Sequence, residues 1–190
     1  MKFLIIESHP YEKSFNRQLS QSIKEVLDKK HSVEVINLIQ DKFNPVIESE
    51  DLKVFASGKA ADEKVYEYQK KIHEADILVF VFPIWWGVMP AILKGFIDKV
   101  FLKDFAYVYA KMGLKGLLNK KAVVVTTMET PKVIYNTLGG NPVKNQFIKG
   151  TLGMSGINTE KHFQIDKINS GTDEYRKDEY NKVVQYFQNM

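Results

Sequence analysis

Ile77-Leu-Val-Phe-Val-Phe-Pro83-Ile-Trp85-Trp86-Gly87-Val-Met-Pro90-Ala-Ile-Leu-Lys94-Gly-Phe-Ile-Asp98-Lys-Val100 decides the fold. Ile77 to Phe82 are six apolar residues without alternation, the pattern of a strand buried on both faces of a parallel sheet. Pro83 brings no backbone donor and is expected to stop that strand. Pro90, its φ already suited to a first helical turn, opens a helix. Ile92, Leu93, Phe96, Ile97 and Val100 then recur at helical spacing and form the face that packs on the sheet. Between strand and helix stand both tryptophans of the chain, side by side, followed by a glycine. Loops at the carboxyl ends of parallel strands are where such sheets bind ligands. The two indoles therefore read as one wall of a site for a flat ring system. The competing reading is that they seal the end of the sheet.

Outward from this segment the same unit repeats. Lys2 to Glu7 is a first strand; Ser8 to Lys13 is a turn; Ser14-Phe15-Asn16 opens a helix with capping chemistry, its inner face Leu19, Ile23, Val26 and Leu27. Val33 to Ile36 is a second strand, and Ala60 to Glu74 a helix with Val65, Tyr68 and Ile72 inward. Lys103 to Asn119 breaks the rhythm, aromatic at Phe105, Tyr107 and Tyr109, with turns at Gly113 and Gly116. Ala122 to Thr127 is a fourth strand, Met128 to Pro142 a loop, Val143 to Leu152 a helix, and Asn158 to Gln164 a fifth strand. Thr172 caps a last helix with Tyr180, Val183, Val184 and Phe187 on one face. Strands alternating with helices imply an α/β domain over residues 1–190, a parallel sheet covered on both faces. Five strands suit the flavodoxin-like doubly wound order 2-1-3-4-5, with the ligand at the switch point between strands 1 and 3.

Composition narrows the chemistry. The 190 residues are 44% hydrophobic and 26% charged, ordinary for a soluble globular protein. No run approaches the roughly 20 apolar residues that span a bilayer, and the start lacks the features of a secretory signal. There is no cysteine, which removes disulfides, thiolate metal sites and a cysteine nucleophile, and suits the cytoplasm. The net charge of +4 comes from scattered lysines without interleaved aromatics, so an anionic small molecule fits better than nucleic acid. The chain carries no G-x-G-x-x-G, no P-loop lysine motif, no nucleophile elbow and no histidine cluster with metal-ligand spacing.

In the doubly wound order three loops converge: His9 to Asn16, Pro83 to Met89, and Thr126 to Gly140. The first runs into a helix N-terminus, which attracts anions through its unpaired N–H groups and dipole. His9, Ser14 and Asn16 add side-chain hydrogen bonding there. The combination points to a phosphate-bearing aromatic cofactor such as a flavin. Its phosphate would lie at the first loop and its ring against Trp85-Trp86-Gly87 and Thr126-Thr127.

These residues carry a resemblance. Phe82-Pro-Ile-Trp-Trp-Gly-Val-Met-Pro-Ala-Ile-Leu-Lys-Gly-Phe-Ile-Asp-Lys-Val-Phe101, then Phe105-Ala-Tyr-Val-Tyr109, strongly resembles the NAD(P)H:quinone oxidoreductases, the DT-diaphorase-like flavoproteins, and their short bacterial relatives. His9 with Ser14-Phe15-Asn16, and Thr126-Thr127 after the fourth strand, match the same family. The resemblance implies a homodimeric enzyme that passes a hydride from NAD(P)H through bound flavin to quinones, two electrons at a time in ping-pong order. It implies that His9, Ser14, Phe15 and Asn16 hold the phosphate side, and that Pro83, Ile84, Trp85, Trp86, Gly87, Thr126 and Thr127 flank the isoalloxazine. Tyr107 and Tyr109 match aromatics that line the substrate cavity across the dimer interface. Tyr135 matches the catalytic tyrosine that helps redistribute charge. The chain departs from the family at Met128-Glu129, where relatives have two glycines, and at Asn141, where some have a histidine. The insertion that contacts adenine in larger members is shortened and their C-terminal extension is missing, which leaves FAD and FMN both open. Two other roles suit the same fold. One is a flavin-binding ancillary subunit regulating a membrane transporter, as in potassium-efflux systems; the other is a flavodoxin-type electron shuttle, a class usually acidic where this chain is basic.

Overall fold

The apolar run forms β3 (Ile77–Pro83), every residue of it buried, at the centre of a five-stranded sheet. It is flanked by β1 (Lys2–Glu7) and then β2 (Ser32–Asn37) on one side, and by β6 (Lys120–Thr127) and then β7 (Ile157–Ile165) on the other. All four pairings are parallel. Counted among the sheet strands alone, the order is 2-1-3-4-5, as the sequence predicts. The computed structural model describes residues 1–111 and 113–190.

Alternate residues of the central strands supply two cores. Leu4, Ile6, Leu78, Phe80, Phe82 and Val124 pack against Tyr68 of α3 (Glu63–Glu74), Phe96 of α4 (Ala91–Val100) and Phe147. Phe3, Ile5, Val79, Val81 and Val125 pack against Leu19 and Ile23 of α1 (Phe15–Leu27) and Val183 and Phe187 of α6 (Asp173–Gln188). A strand that feeds both cores has no polar face, which is why Ile77 to Phe82 reads as an unbroken apolar run. Gly95 lets α4 close onto the preceding connection: a Cβ there would meet the Pro45 carbonyl oxygen at 2.1 Å.

Elsewhere the local structure is finer than the sequence pattern. Residues 48–57, unassigned by pattern, contain α2 (Ser49–Phe55), closed by a reciprocal capping box between Glu48 and Asp51. The break at 103–119 holds an antiparallel hairpin outside the main sheet, β4 (Tyr107–Ala110) with β5 (Gly113–Gly116). Gly113 and Gly116 thus begin and end a strand rather than make two turns. Gly116 is required by crowding, since a Cβ would meet the Gly156 nitrogen at 2.2 Å. The loop after β6 contains one short helix, α5 (Lys132–Asn136). The helix predicted from Val143 is a π-helix, Val143–Leu152. In β7, Thr159 pairs with Ala122 and Lys161 with Val123, so Glu160 is an extra residue in a bulge. Among the described residues no helix is long and apolar enough to cross a membrane.

Candidate active site

The carboxyl ends of β1, β3 and β6 bring the three predicted loops together. The His9 ring meets Trp85 edge-on, centroids 5.8 Å apart, and His9 Nδ1 accepts the Tyr11 N–H. Ser14 caps α1 by accepting the Arg17 N–H at 3.2 Å. Asn16 is buried in the first turn; its Oδ1 accepts the Thr127 hydroxyl at 2.7 Å, tying α1 to the end of β6. Its Nδ2 is buried without a partner, and so is the Ser8 hydroxyl. The Phe15 ring packs edge-on against Tyr180 of α6. Pro83 is buried in register with Thr127, and the Ile84 N–H donates to the Thr127 carbonyl at 2.7 Å.

Trp85 and Val88 exchange two backbone hydrogen bonds around Trp86 and Gly87, whose φ values are 50° and 81°. Positive φ at both central residues is the signature of a type I′ turn, where asparagine and glycine are the usual occupants. A tryptophan held there is strained by about 1–3 kcal/mol. Trp86 is also fully exposed, so it does not seal the sheet, and that competing reading fails for this residue. Trp86→Gly is accordingly expected to leave stability unchanged or raise it by about 1 kcal/mol, the relieved strain exceeding the entropy lost by glycine. A core tryptophan would instead cost about 3–5 kcal/mol on truncation. Denaturant melts of the two proteins separate these outcomes.

The turn forms one wall of a cleft of about 750 Å³; Met128, Glu129, Thr130 and Tyr135 are on the other. Among the described residues, the N–H groups of Trp86, Gly87, Glu129 and Thr130 have no protein acceptor. Tyr135 is buried, and its hydroxyl donates to the Gly87 carbonyl at 2.9 Å while accepting the Val143 N–H at 3.2 Å. It clamps the tryptophan turn to the start of the π-helix. Burial raises its pKa, so the phenol keeps its proton. Tyr107 and Tyr109 touch edge-on at 5.8 Å on the hairpin. Neither lines this cleft within the chain; Tyr107 faces a separate depression beside Phe101 and Met154.

With the geometry in place, comparison with known proteins assigns the chain. A family model described as a flavodoxin-like fold matches residues 1–188. The chain belongs to that family. Over 158 residues it is 35% identical to the NAD(P)H dehydrogenase [quinone] 1 of Cavia porcellus, covering 72% of this chain and 56% of that one. The chain spans less than two thirds of the length of the first curated relatives it matches. Among solved structures, Smu.1420 from Streptococcus mutans is 35% identical with a TM-score of 0.88, each chain covered in full. The NAD(P)H:quinone oxidoreductase from Methanothermobacter marburgensis is 26% identical with a TM-score of 0.88, covering 100% of this chain and 98% of that one.

The flavodoxin-like scaffold explains the departures noted in the sequence. Met128 buries its side chain and donates its N–H to the Ile165 carbonyl at 2.8 Å, extending the sheet by one rung. The Glu129 carboxylate accepts the N–H groups of Asn169 and Ser170, bracing the loop after β7. The Ser170 side chain and these backbone donors hold it below the usual carboxylate range. Asn141 is also structural: its amide donates to Asn136 and its oxygen accepts the Lys144 N–H at the head of the π-helix.

Two polar features escape the sequence reading. Glu7, last in β1 and buried, pairs with Arg17 and accepts the Asn37 amide at 2.8 Å. A charged residue ending an apolar strand is its only sequence signal. His162 of β7 contacts the Thr126 hydroxyl through Nε2 at 3.0 Å. That hydroxyl donates its proton to the Phe163 carbonyl, so Nε2 of His162 is the donor. Burial, with the Lys144 ammonium adding to it, pushes the His162 pKa down to about 4.

Proposed function

We propose that the chain is an NAD(P)H dehydrogenase that holds a flavin, FMN or FAD, in the switch-point cleft and delivers a hydride to quinones. The observation that carries this reading is two sets of unspent donors at the switch point, one at the N-terminus of α1 and one beside an aromatic wall. Ser8 Oγ and Asn16 Nδ2 are buried without partners near the N-terminus of α1. The free N–H groups of Trp86, Gly87, Glu129 and Thr130 line the cleft itself. A phosphate suits the first group, because helix N-termini attract anions. The electron-rich edge of a ring that gains negative charge suits the second.

In this reading His9, Ser14, Phe15 and Asn16 hold the phosphate end. Ile84 floors the ring over the buried Pro83, Thr126 and Thr127, and Trp85, Trp86 and Gly87 wall it. A bound flavin would supply reversible two-electron transfer; the chain supplies orientation and the donors that stabilise charge as it develops. Tyr135 keeps its proton and positions the Gly87 carbonyl, and with it the whole turn. Tyr107 and Tyr109, outside the cleft of their own chain, complete the cleft of a twofold partner. The similarity to the guinea-pig NAD(P)H dehydrogenase [quinone] 1 and to the Methanothermobacter NAD(P)H:quinone oxidoreductase supports the same reaction class.

The test is direct. The purified protein is expected to be yellow, to release one flavin per chain, and to oxidise NAD(P)H with menadione as acceptor. Colourless protein that takes up neither FMN nor FAD on titration overturns the reading. Tyr135→Phe leaves the buried Val143 N–H without an acceptor, a loss of about 1–3 kcal/mol. It should also slow flavin reduction while flavin affinity stays nearly unchanged. Stopped-flow rates within twofold of the parent would remove Tyr135 from the chemistry.

A further inference from the structure

β7 and the π-helix enclose a second cleft, about 580 Å³, within the size range of small-molecule sites. Two departures from regular backbone build it. On a regular strand, residues three apart face opposite ways. The bulge at Glu160 cancels this for Thr159 and His162, which pair with Ala122 and Val124, two residues of one core. Both thus look toward the same side of the sheet. On the facing element, Lys144 and Lys149 are five residues apart, the i→i+5 step of π-helical hydrogen bonding, and so lie near one face. π-helical turns occur frequently at functional sites.

The cleft is prepared for an anion. Among the described residues neither Lys144 nor Lys149 has a carboxylate partner, and the cleft's carboxylate, Glu160, pairs with Lys121 at 2.7 Å. The Thr159 hydroxyl is buried without a partner. Reciprocal amide bonds between Asn136 and Gln164, at 3.0 and 3.1 Å, occupy those two side chains with each other. The remaining ammonium, on Lys161, lies 5.4 Å over the Phe163 ring.

We propose that this cleft is a second ligand site that takes a phosphate group, held by Lys144 and Lys149 with the Thr159 hydroxyl as donor. Two sources offer that chemistry: the 2′-phosphate of NADPH, which rests on the dehydrogenase reading, and a free phosphate or phosphate ester, which does not. His162 reports occupancy. The charged groups around it are Lys144 and Lys149 on the π-helix and Glu160 and Lys161 on its own strand; its Nε2–H is committed to Thr126, leaving Nδ1 to take a proton. A bound dianion offsets Lys144 and favours that proton.

The experiment titrates the protein as purified with inorganic phosphate at constant ionic strength, following the His162 ring by NMR. The N-terminus of α1 also attracts phosphate, so the His162 signal and the lysine pair localise the event. Saturable binding should raise the His162 pKa by a unit or more. It should weaken at least tenfold in Lys144→Glu/Lys149→Glu, both exposed positions, and hold in the control Lys29→Glu/Lys177→Glu. A phosphate titration that leaves His162 unmoved, or that the control pair weakens equally, overturns the proposal. In turnover, a KM raised at least tenfold for NADPH but not NADH identifies the cosubstrate as the source. Unchanged KM values, with phosphate binding lost in the lysine variant, identify a free phosphate. The titration needs no turnover, so it stands or fails separately from the dehydrogenase reading.

Discussion

Glu7→Ala is expected to cost about 3–5 kcal/mol of folding stability, because it breaks a buried ion pair from one side. The Glu7 side chain is 5% exposed and its partner Arg17 only 17%. Arg17 is the third residue of α1, counted from the Ser14 cap, where the helix dipole presents its positive end. A cation there is unfavourable unless an anion offsets it, and Glu7 is that anion. Its removal strands a largely desolvated guanidinium and takes the acceptor from the Asn37 amide. The companion variant Glu7→Leu/Arg17→Leu should recover most of the loss, since replacing both partners by apolar groups is often neutral. Urea melts of the single and double variants measure the difference. A single-variant loss below about 1 kcal/mol would show that the pair is dispensable.

The fold was legible because its central strand is buried twice over. Ile77 to Phe82 feeds both cores, so it shows no alternation, and the β-α rhythm around it admits few topologies. The candidate cleft was legible where unusual residues cluster: two tryptophans and a glycine in one loop, and a capped helix after a strand. What stayed hidden depends on backbone detail that side-chain patterning does not record. Tryptophan in a left-handed turn contradicts its own preference, so no propensity rule points to Trp86. Over ten residues the apolar spacing of Val143–Leu152 fits a π-helix as well as an α-helix. The bulge at Glu160 changes which face His162 occupies without any mark in composition. Glu7 reads as the polar end of a strand until Arg17 and Asn37 are seen beside it.

Acidification from pH 7 to pH 5 should remove about 2 kcal/mol of stability through His162 alone, rising to about 3 kcal/mol near pH 4. Its folded pKa is pushed down to about 4 from an ordinary 6.5. Between those values the unfolded chain binds a proton that the folded chain refuses. Stability is therefore fully present above about 6.5 and is lost as pH falls toward the folded value. The window separates His162 from the carboxylates. Glu129, Asp166 and Glu179 are all held below their ordinary values, which lie at or below 4.5. Their contributions persist down to that range and fade only below it. His162→Gln keeps an N–H for the Thr126 hydroxyl and cannot titrate. Its stability should therefore change much less than the parent's between pH 7 and pH 5. Parallel pH slopes for parent and variant in urea melts would mean that His162 accepts its proton in the folded protein as readily as in the unfolded chain.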